Sequence, residues 1–214
     1  MPAPPERLIT RVGGRIDLTT FFWTGRDSVW ELERTLAIVG RSLASFDSIL
    51  DFGCGCGRML LWMEAAGQAA ELHGTDIDCE AVEWCRRHIP YAQVSVNAPD
   101  PPLPYPDRKF ELVFNHSVFT HIDETRQDQW LEELHRVVRP GGLVVLSTHG
   151  ETALPDDAWQ LRDRLERDGI VYLENSVHDS GLPDWYQNTW HAPWYIFEHW
   201  GRWFQTAPTY PEAL

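Results

Sequence analysis

The chain has 214 residues, of which 43% are hydrophobic and 23% charged, enough for one large globular domain with a sizeable core. Its 18 basic and 32 acidic residues leave a net charge of −14, with no run of Lys or Arg, so nucleic acid is not expected as a partner. No apolar run approaches the ~20 residues of a membrane span, and Met1-Pro2-Ala3-Pro4-Pro5-Glu6-Arg7 lacks the order of a signal peptide, so no membrane contact and a cytoplasmic location are expected.

Residues 1–20 read as a loose lead-in, Pro-rich and then Gly13-Gly14. A helix should follow, because Ser28 and Glu31 have capping-box spacing. Val29, Trp30, Leu32, Leu36, Ala37 and Val39 give it one apolar face, and Gly40 can end it. Residues 1–47 thus form a lead-in and a helix.

An alternation then begins. Ser48-Ile49-Leu50-Asp51-Phe52 is a short buried strand, and Arg58 to Ala66 a helix closed by Gly67. Leu72 to Asp76 is a second strand, after which Asp78 caps a helix running to about His88. Residues 92–96 read as a third strand. Pro99 to Pro106 is a proline-rich loop, and Phe110 to Asn115 a fourth strand. Asp123 caps a longer helix whose Trp130, Leu131, Leu134, Val137 and Val138 share a face. Pro140-Gly141-Gly142 stops it, and Leu143 to Ser147 is a fifth strand. Strands alternating with helices in this way predict an α/β fold with a doubly wound, mostly parallel, Rossmann-like sheet over residues 48–148.

Residues 149–214 are an aromatic-rich embellishment of the same domain. Asp157 to Arg167 suggests a helix and Ile170-Val171-Tyr172-Leu173 a short strand. Trp185 to Phe204 is dense in Trp, with Tyr186, Tyr195 and Phe197 among them. Trp194, Phe197, Trp200 and Phe204 have helical spacing and are expected to pack as core, which leaves Trp185 to His191 to cover the ligand crevice. The four cysteines, at 54, 56, 79 and 85, lack the paired spacing of a zinc site and read as reduced thiols, so no metal is expected.

The most informative stretch is Ile49-Leu50-Asp51-Phe52-Gly53-Cys54-Gly55-Cys56-Gly57-Arg58. An apolar strand runs into a loop with Gly at every second position, and a helix follows. Such glycines allow a tight turn and a close approach of backbone to ligand, with the positive end of the helix dipole beside it. Asp76 lies about twenty residues further on, at the end of the second strand, where a carboxylate can accept both hydroxyls of an adenosine ribose. A nicotinamide dinucleotide is disfavoured. Its fingerprint wants a third glycine three residues after the second, and Arg58 holds that place.

In this order the motifs resemble the class I S-adenosylmethionine-dependent methyltransferases, over roughly residues 48–148 by strand and loop correspondence. Leu50 to Gly55 is similar to the family's first motif and Gly74-Thr75-Asp76-Ile77-Asp78 to its second. Leu103 to Asp107 with Phe110 to Val113 resembles the entry to strand four, and Leu134 to Gly142 the entry to strand five. The resemblance implies S-adenosylmethionine as cofactor, with Asp51, Gly53, Cys54 and Gly55 at its methionine part and Asp76 and Ile77 at its ribose. Asn97-Ala98 stands where the family usually has an acidic residue near the adenine amine, and Asn can still accept through its amide oxygen. Asn115 or His116 would border the methionine end.

Methyl transfer is an in-line displacement at an activated carbon, so positioning and water exclusion are the enzyme's main tasks. A base is needed only for a protonated nucleophile, and His116 and His121 are the candidates. Ser117 to Ile122 resembles a bacterial small-molecule subgroup of the family. The implied function is methylation of a small-molecule acceptor, such as a sugar-like or aromatic hydroxyl. The alternative is a cofactor-binding regulatory protein without turnover. The family sheet normally ends in an antiparallel strand pair after strand five. Here Gln205 to Leu214 supplies one short strand at most, so that pair is expected to be incomplete. Strand five is then left near an open edge, where a dimer can pair.

Overall fold

The computed structural model describes residues 1–14, 16–155, 157–177 and 182–205. Two helices come first, α1 (Glu6–Gly13) and α2 (Leu18–Ile38). The alternation follows as β1 (Ser48–Phe52), α3 (Glu64–Ala69), β2 (Glu71–Asp76), α4 (Cys79–His88), β3 (Gln93–Val96), β4 (Phe110–Asn115), α5 (Glu124–Val137) and β5 (Val138–Leu146). The last part holds α6 (Trp159–Asp168), β6 (Ile170–Leu173), β7 (Asn188–His191) and α7 (Pro193–His199).

The five strands of the alternation form one parallel sheet in the order β3-β2-β1-β4-β5. The chain winds outward from β1 to β3, then returns to lay β4 on the other side of β1. The loops after β1 and β4 therefore part to opposite faces, and a crevice opens at the carboxyl ends of these strands. β1 and β4 are buried along their whole length, as central parallel strands covered on both faces must be. Side-chain alternation sends Ile49 into a core with Phe21, Leu36 and Leu72, and Leu50 into a second core with Val113, Leu131 and Leu134.

The structure corrects several expectations. The lead-in is not loose, because Leu8 and Ile9 are buried on one side of α1. The next helix starts ten residues before Ser28, at Leu18, because the Asp17 carboxylate accepts the Thr20 N–H at 2.7 Å. Ser28 lies inside that helix, and its hydroxyl donates back to the Thr24 carbonyl at 2.8 Å. Trp30 and Val39 face outward on it. The helix expected from Arg58 is replaced by turns and a short 3₁₀ segment, Leu60–Trp62, before α3. Gly67 sits within α3 rather than closing it, and its missing Cβ makes room for the Tyr91 carbonyl. Pro140-Gly141-Gly142 does not end α5. The helix stops at Val137, and β5 runs through the glycines with a register shift against β4.

After β5, β6 and β7 pair antiparallel in a separate two-stranded sheet, joined to the His149 backbone by one bridge from Trp190. In the described part of the main sheet β5 is therefore an edge, and a groove of about 2640 Å³ runs beside it between α2 and residues 193–205. The final strand expected near the C-terminus falls on residues 206–214, outside the described residues. Trp194 and Phe197 point outward, while Tyr195 and Trp200 take the buried places. Among the described residues no helix is long and apolar enough to cross a membrane.

Asp123 anchors α5 as the sequence predicts, accepting the Arg126 N–H at 3.0 Å and pairing with its guanidinium at 2.6 Å. Asp123→Ala is expected to cost about 1 kcal/mol of stability through the lost cap. Urea unfolding followed by tryptophan fluorescence measures it, and an unchanged midpoint refutes the assignment.

Candidate cofactor and acceptor site

The site begins where β1 ends. Gly53 and Gly55 have φ of 82° and 52°, values that side chains other than Gly rarely adopt. The turn they allow brings the Gly53 and Cys54 N–H groups onto the Thr75 carbonyl at 2.8 and 2.9 Å. The Gly55 N–H then donates to one Asp76 oxygen at 2.7 Å, and the Asp78 N–H to the other at 2.8 Å. Burial pushes the Asp76 pKa up, and these backbone donors hold it back. Each carboxylate oxygen keeps a second lone pair for a ligand hydroxyl.

A cavity of about 100 Å³ lies over this arrangement. Gly53, Gly55, Asp76, Ile77 and Asn97 border it from the sheet side. The buried Asn97 amide donates to the Ala98 carbonyl at 2.7 Å, while its Oδ1 has no partner. An orphaned acceptor thus stands at the end of β3. Ala98 is exposed and does not border the cavity. The Cys54 side chain packs into the core below the loop, so that residue offers the site only its backbone. The neighbouring Cys85 thiol and burial keep its own thiol protonated. Asn115 accepts the Ser147 N–H at 3.1 Å and ties the exit of β4 to that of β5. Its Nδ2 is buried without a partner. Asp51 is 2% exposed. Burial first, then the Asp76 charge, raise its pKa to about 8, against the pull of Arg58.

The two candidate bases stand beyond the end of β4. The His121 ring stacks on Tyr186 at 4.2 Å between centroids. Its Nδ1 lies 3.2 Å from the Gln187 carbonyl, which can only accept, so Nδ1 carries the proton and Nε2 is left as a base. That Nε2 lies 3.5 Å from the Ser117 hydroxyl. Burial, then the nearby His149, lower the His121 pKa to about 4, and burial, Arg58 and His149 do the same to His116. Both imidazoles are therefore neutral at neutral pH.

Two covers close the crevice. Trp185 and Tyr186 border the cavity, as the aromatic tail leads one to expect, whereas Trp190 and His191 are buried in the second core. The other cover, α1, is missed by sequence reasoning. Its Arg11 and Val12 border the cavity, and Arg11 pairs with Asp78 at 2.8 Å and Glu80 at 3.0 Å. The signal was present in Leu8, Ile9 and Val12 at helical spacing, but the flanking prolines and glycines masked it.

A glycine turn after the first strand, a fixed carboxylate at the end of the second and a switch point between β1 and β4 define a nucleoside-binding α/β protein. Residues 50–146 match the methyltransferase domain family. That match spans the sheet from β1 to β5, the same stretch whose motifs resemble the class I S-adenosylmethionine-dependent methyltransferases. It is 35% identical over 118 residues to a malonyl-[acyl-carrier protein] O-methyltransferase of Pseudescherichia vulneris, covering 54% of this chain and 45% of that protein. The same-named protein of Salmonella typhimurium is 30% identical over 147 residues, 65% of this chain and 54% of its own length. A fatty-acid O-methyltransferase of Mycolicibacterium smegmatis is 33% identical over 95 residues, 44% of this chain and 34% of its own. The chain thus matches about half or less of each of these relatives.

The Asp51 carboxyl carries a pH signature. Folded, it keeps its proton up to about pH 8, whereas the unfolded chain releases it near the ordinary carboxylate value of 3.8. Between those limits the folded state binds more protons, so this group costs stability as pH rises. Asp51→Asn is expected to gain stability relative to the parent from pH 5 to pH 8. Unfolding at both pH values measures this, and a constant difference would show that Asp51 ionises normally.

Proposed function

We propose that this chain binds S-adenosylmethionine at the carboxyl ends of β1 to β3 and transfers its methyl group to an oxygen of a small-molecule acceptor. The observation that carries the reading is the Asp76 carboxylate, fixed by two backbone N–H groups with lone pairs to spare at the cavity. The residues present fit the cofactor. Asp76 would take the ribose hydroxyls, with Ile77 beside the nucleoside. The orphaned Oδ1 of Asn97, next to Ala98, would accept from the adenine amine. Asp51 and the backbone of Gly53, Cys54 and Gly55 would hold the methionine part, with Asn115 or His116 at its end.

When bound, the cofactor supplies a methyl group activated by its sulfonium. The chain's own residues then position and shield. Trp185, Tyr186, Phe52 and Trp130 give the cavity apolar walls that suit a planar or aliphatic acceptor. His121, neutral and with Nε2 free of a proton, accepts the proton of an acceptor hydroxyl, while the Gln187 carbonyl holds its ring. An acceptor that arrives as an anion needs no such base. The relatives' names, O-methyltransferases of a carrier-bound malonyl group and of a fatty acid, support oxygen as the receiving atom. A cavity of about 100 Å³ falls below the ~300 Å³ of the smallest usual ligand pockets, so the two covers part to admit ligands and close to exclude water.

Calorimetric titration should show saturable binding of S-adenosylmethionine and of its demethylated product; folded protein that binds neither refutes the reading. Asp76→Ala is expected to cost about 1.5–3 kcal/mol of that binding, or about tenfold or more in affinity. Unchanged affinity would make Asp76 purely structural. Hydrogen exchange with the demethylated cofactor should add protection in residues 8–13 and 182–191 as well as in the glycine loop. Protection confined to the loop and Asp76 would remove the covers from the site.

A further inference from the structure

Ser117 stands two residues beyond β4, and the function above gives it no task. Its φ is 67°, in the left-handed region that residues other than Gly rarely adopt. Backbone of this kind gathers at functional turns, where neighbouring bonds hold it in place. Here the Ser117 N–H donates to the Ser147 hydroxyl at 2.7 Å, and the Ser147 N–H to the Asn115 amide oxygen at 3.1 Å. The turn after β4 is thus tied to the exit of β5, and it sets Ser117 and Val118 on the border of the cavity.

The hydroxyl has a base beside it. His121 Nδ1 donates to the Gln187 carbonyl, so Nε2, 3.5 Å from Ser117 Oγ, can only accept. The Thr120 hydroxyl lies 3.1 Å from the same Oγ. With Thr120 donating to Ser117, the proton of Ser117 is left for Nε2. A gap of 3.5 Å is looser than a formed hydrogen bond, as nucleophile–base pairs often are before substrate arrives. Burial, then His149, lower the His121 pKa to about 4, so the base is unprotonated at neutral pH. Among the described residues no acceptor takes the N–H of Val118, the next residue in the chain. One turn therefore brings together a hydroxyl, a base, a carbonyl that orients the base and a backbone donor. These are the parts of a serine acyl-transfer site.

We propose that Ser117 and His121 form a nucleophile–base pair that hydrolyses short, apolar carboxylic esters in this cavity. Phe52, Ile122, Trp130 and Trp185 supply apolar walls for the acyl group, and a volume of about 100 Å³ keeps it short. Ser117 Oγ bonds to the ester carbonyl carbon while its proton passes to His121 Nε2. The Val118 N–H faces the negative oxygen that results. The bond from carbon to the alcohol oxygen breaks, and the alcohol leaves with the proton from Nε2. Water then adds to the acyl carbon and gives a proton to Nε2. The bond to Oγ breaks, Oγ takes that proton back, and the carboxylic acid is released. The pair needs no cofactor, so the inference stands apart from the methyl-transfer reading.

The test treats the ligand-free chain with a fluorophosphonate and, separately, with p-nitrophenyl acetate. Peptide mass spectrometry should find the phosphonyl group on Ser117. Release of p-nitrophenol should fall about a hundredfold or more in Ser117→Gly and in His121→Asn, and so should the labelling of His121→Asn. Glycine suits a φ of 67°, so Ser117→Gly removes the hydroxyl and keeps the turn. Circular dichroism checks that each variant is folded. A folded parent chain that takes no label, or takes it on another residue, overturns the proposal. Hydrolysis undiminished in Ser117→Gly overturns it as well. Labelling of Ser117 undiminished in His121→Asn does the same, because the hydroxyl would then react without its base. The cofactor titrations above do not depend on any of these results.

Discussion

The Asp76 carboxylate accepts the N–H groups of Gly55 and Asp78, and three elements meet through it. It closes the turn after β1 against the end of β2. It also fixes the backbone of Asp78, whose side chain in turn receives the Glu80 and Ala81 N–H groups and starts α4. Asp78 then pairs with Arg11, so α1 is attached to the same point. Burial of this carboxyl pushes its pKa up, and the backbone donors oppose that rise by favouring the carboxylate. Loosening this one carboxylate would free the glycine turn, the cap of α4 and the N-terminal cover together.

The C-terminal third is held over the crevice by polar bonds to a short stretch around the start of α5. Gln187 and Thr189 donate their N–H groups to the carbonyls of His121 and Thr120. The Thr189 hydroxyl reaches the Ile122 carbonyl, and the His191 ring meets the Gln127 amide at 2.9 Å. Further out, Tyr195 donates to Glu124 at 2.7 Å and His199 meets Asp128 at 2.6 Å. The same residues that cap and begin α5 therefore position Trp185 and Tyr186. His121 sits in the middle of this seam, so the candidate base and the cover are placed by one set of contacts.

How much of this was legible in the sequence follows from the range of the forces involved. β1, β2, β4 and the caps at Asp78 and Asp123 are local patterns, apolar runs and single side chains bonding their own next turn. The glycine turn and Asp76 were readable because their spacing is set by one strand–helix–strand unit. Where the answer depended on distant packing, local signals misled. The prolines and glycines around α1 read as loop, yet burial of Leu8 and Ile9 in the first core stabilises a helix there. Ser28 and Glu31 carried a start signal that Asp17, eleven residues before Ser28, had already pre-empted. Arg58 looked like a mere departure from a dinucleotide fingerprint. Its burial between two glycine-bearing helices is visible only once the chain is folded.

The tightness of the crevice has a kinetic and thermodynamic side. A cavity of about 100 Å³ does not accommodate a nucleoside, so on the proposed cofactor reading α1 and the Trp185–Tyr186 segment would have to separate for binding. Any ligand then binds with its intrinsic affinity diluted by the fraction of molecules standing open. The Arg11 pairs with Asp78 and Glu80 and the Tyr186–His121 stack belong to the shut form, and their strength sets that fraction. Half-buried ion pairs such as these weaken as salt rises, though less than exposed ones, because mobile ions screen them, whereas a ring stack does not. Ionic strength would thus act on this protein as a ligand-independent regulator, raising the open population from the N-terminal side alone.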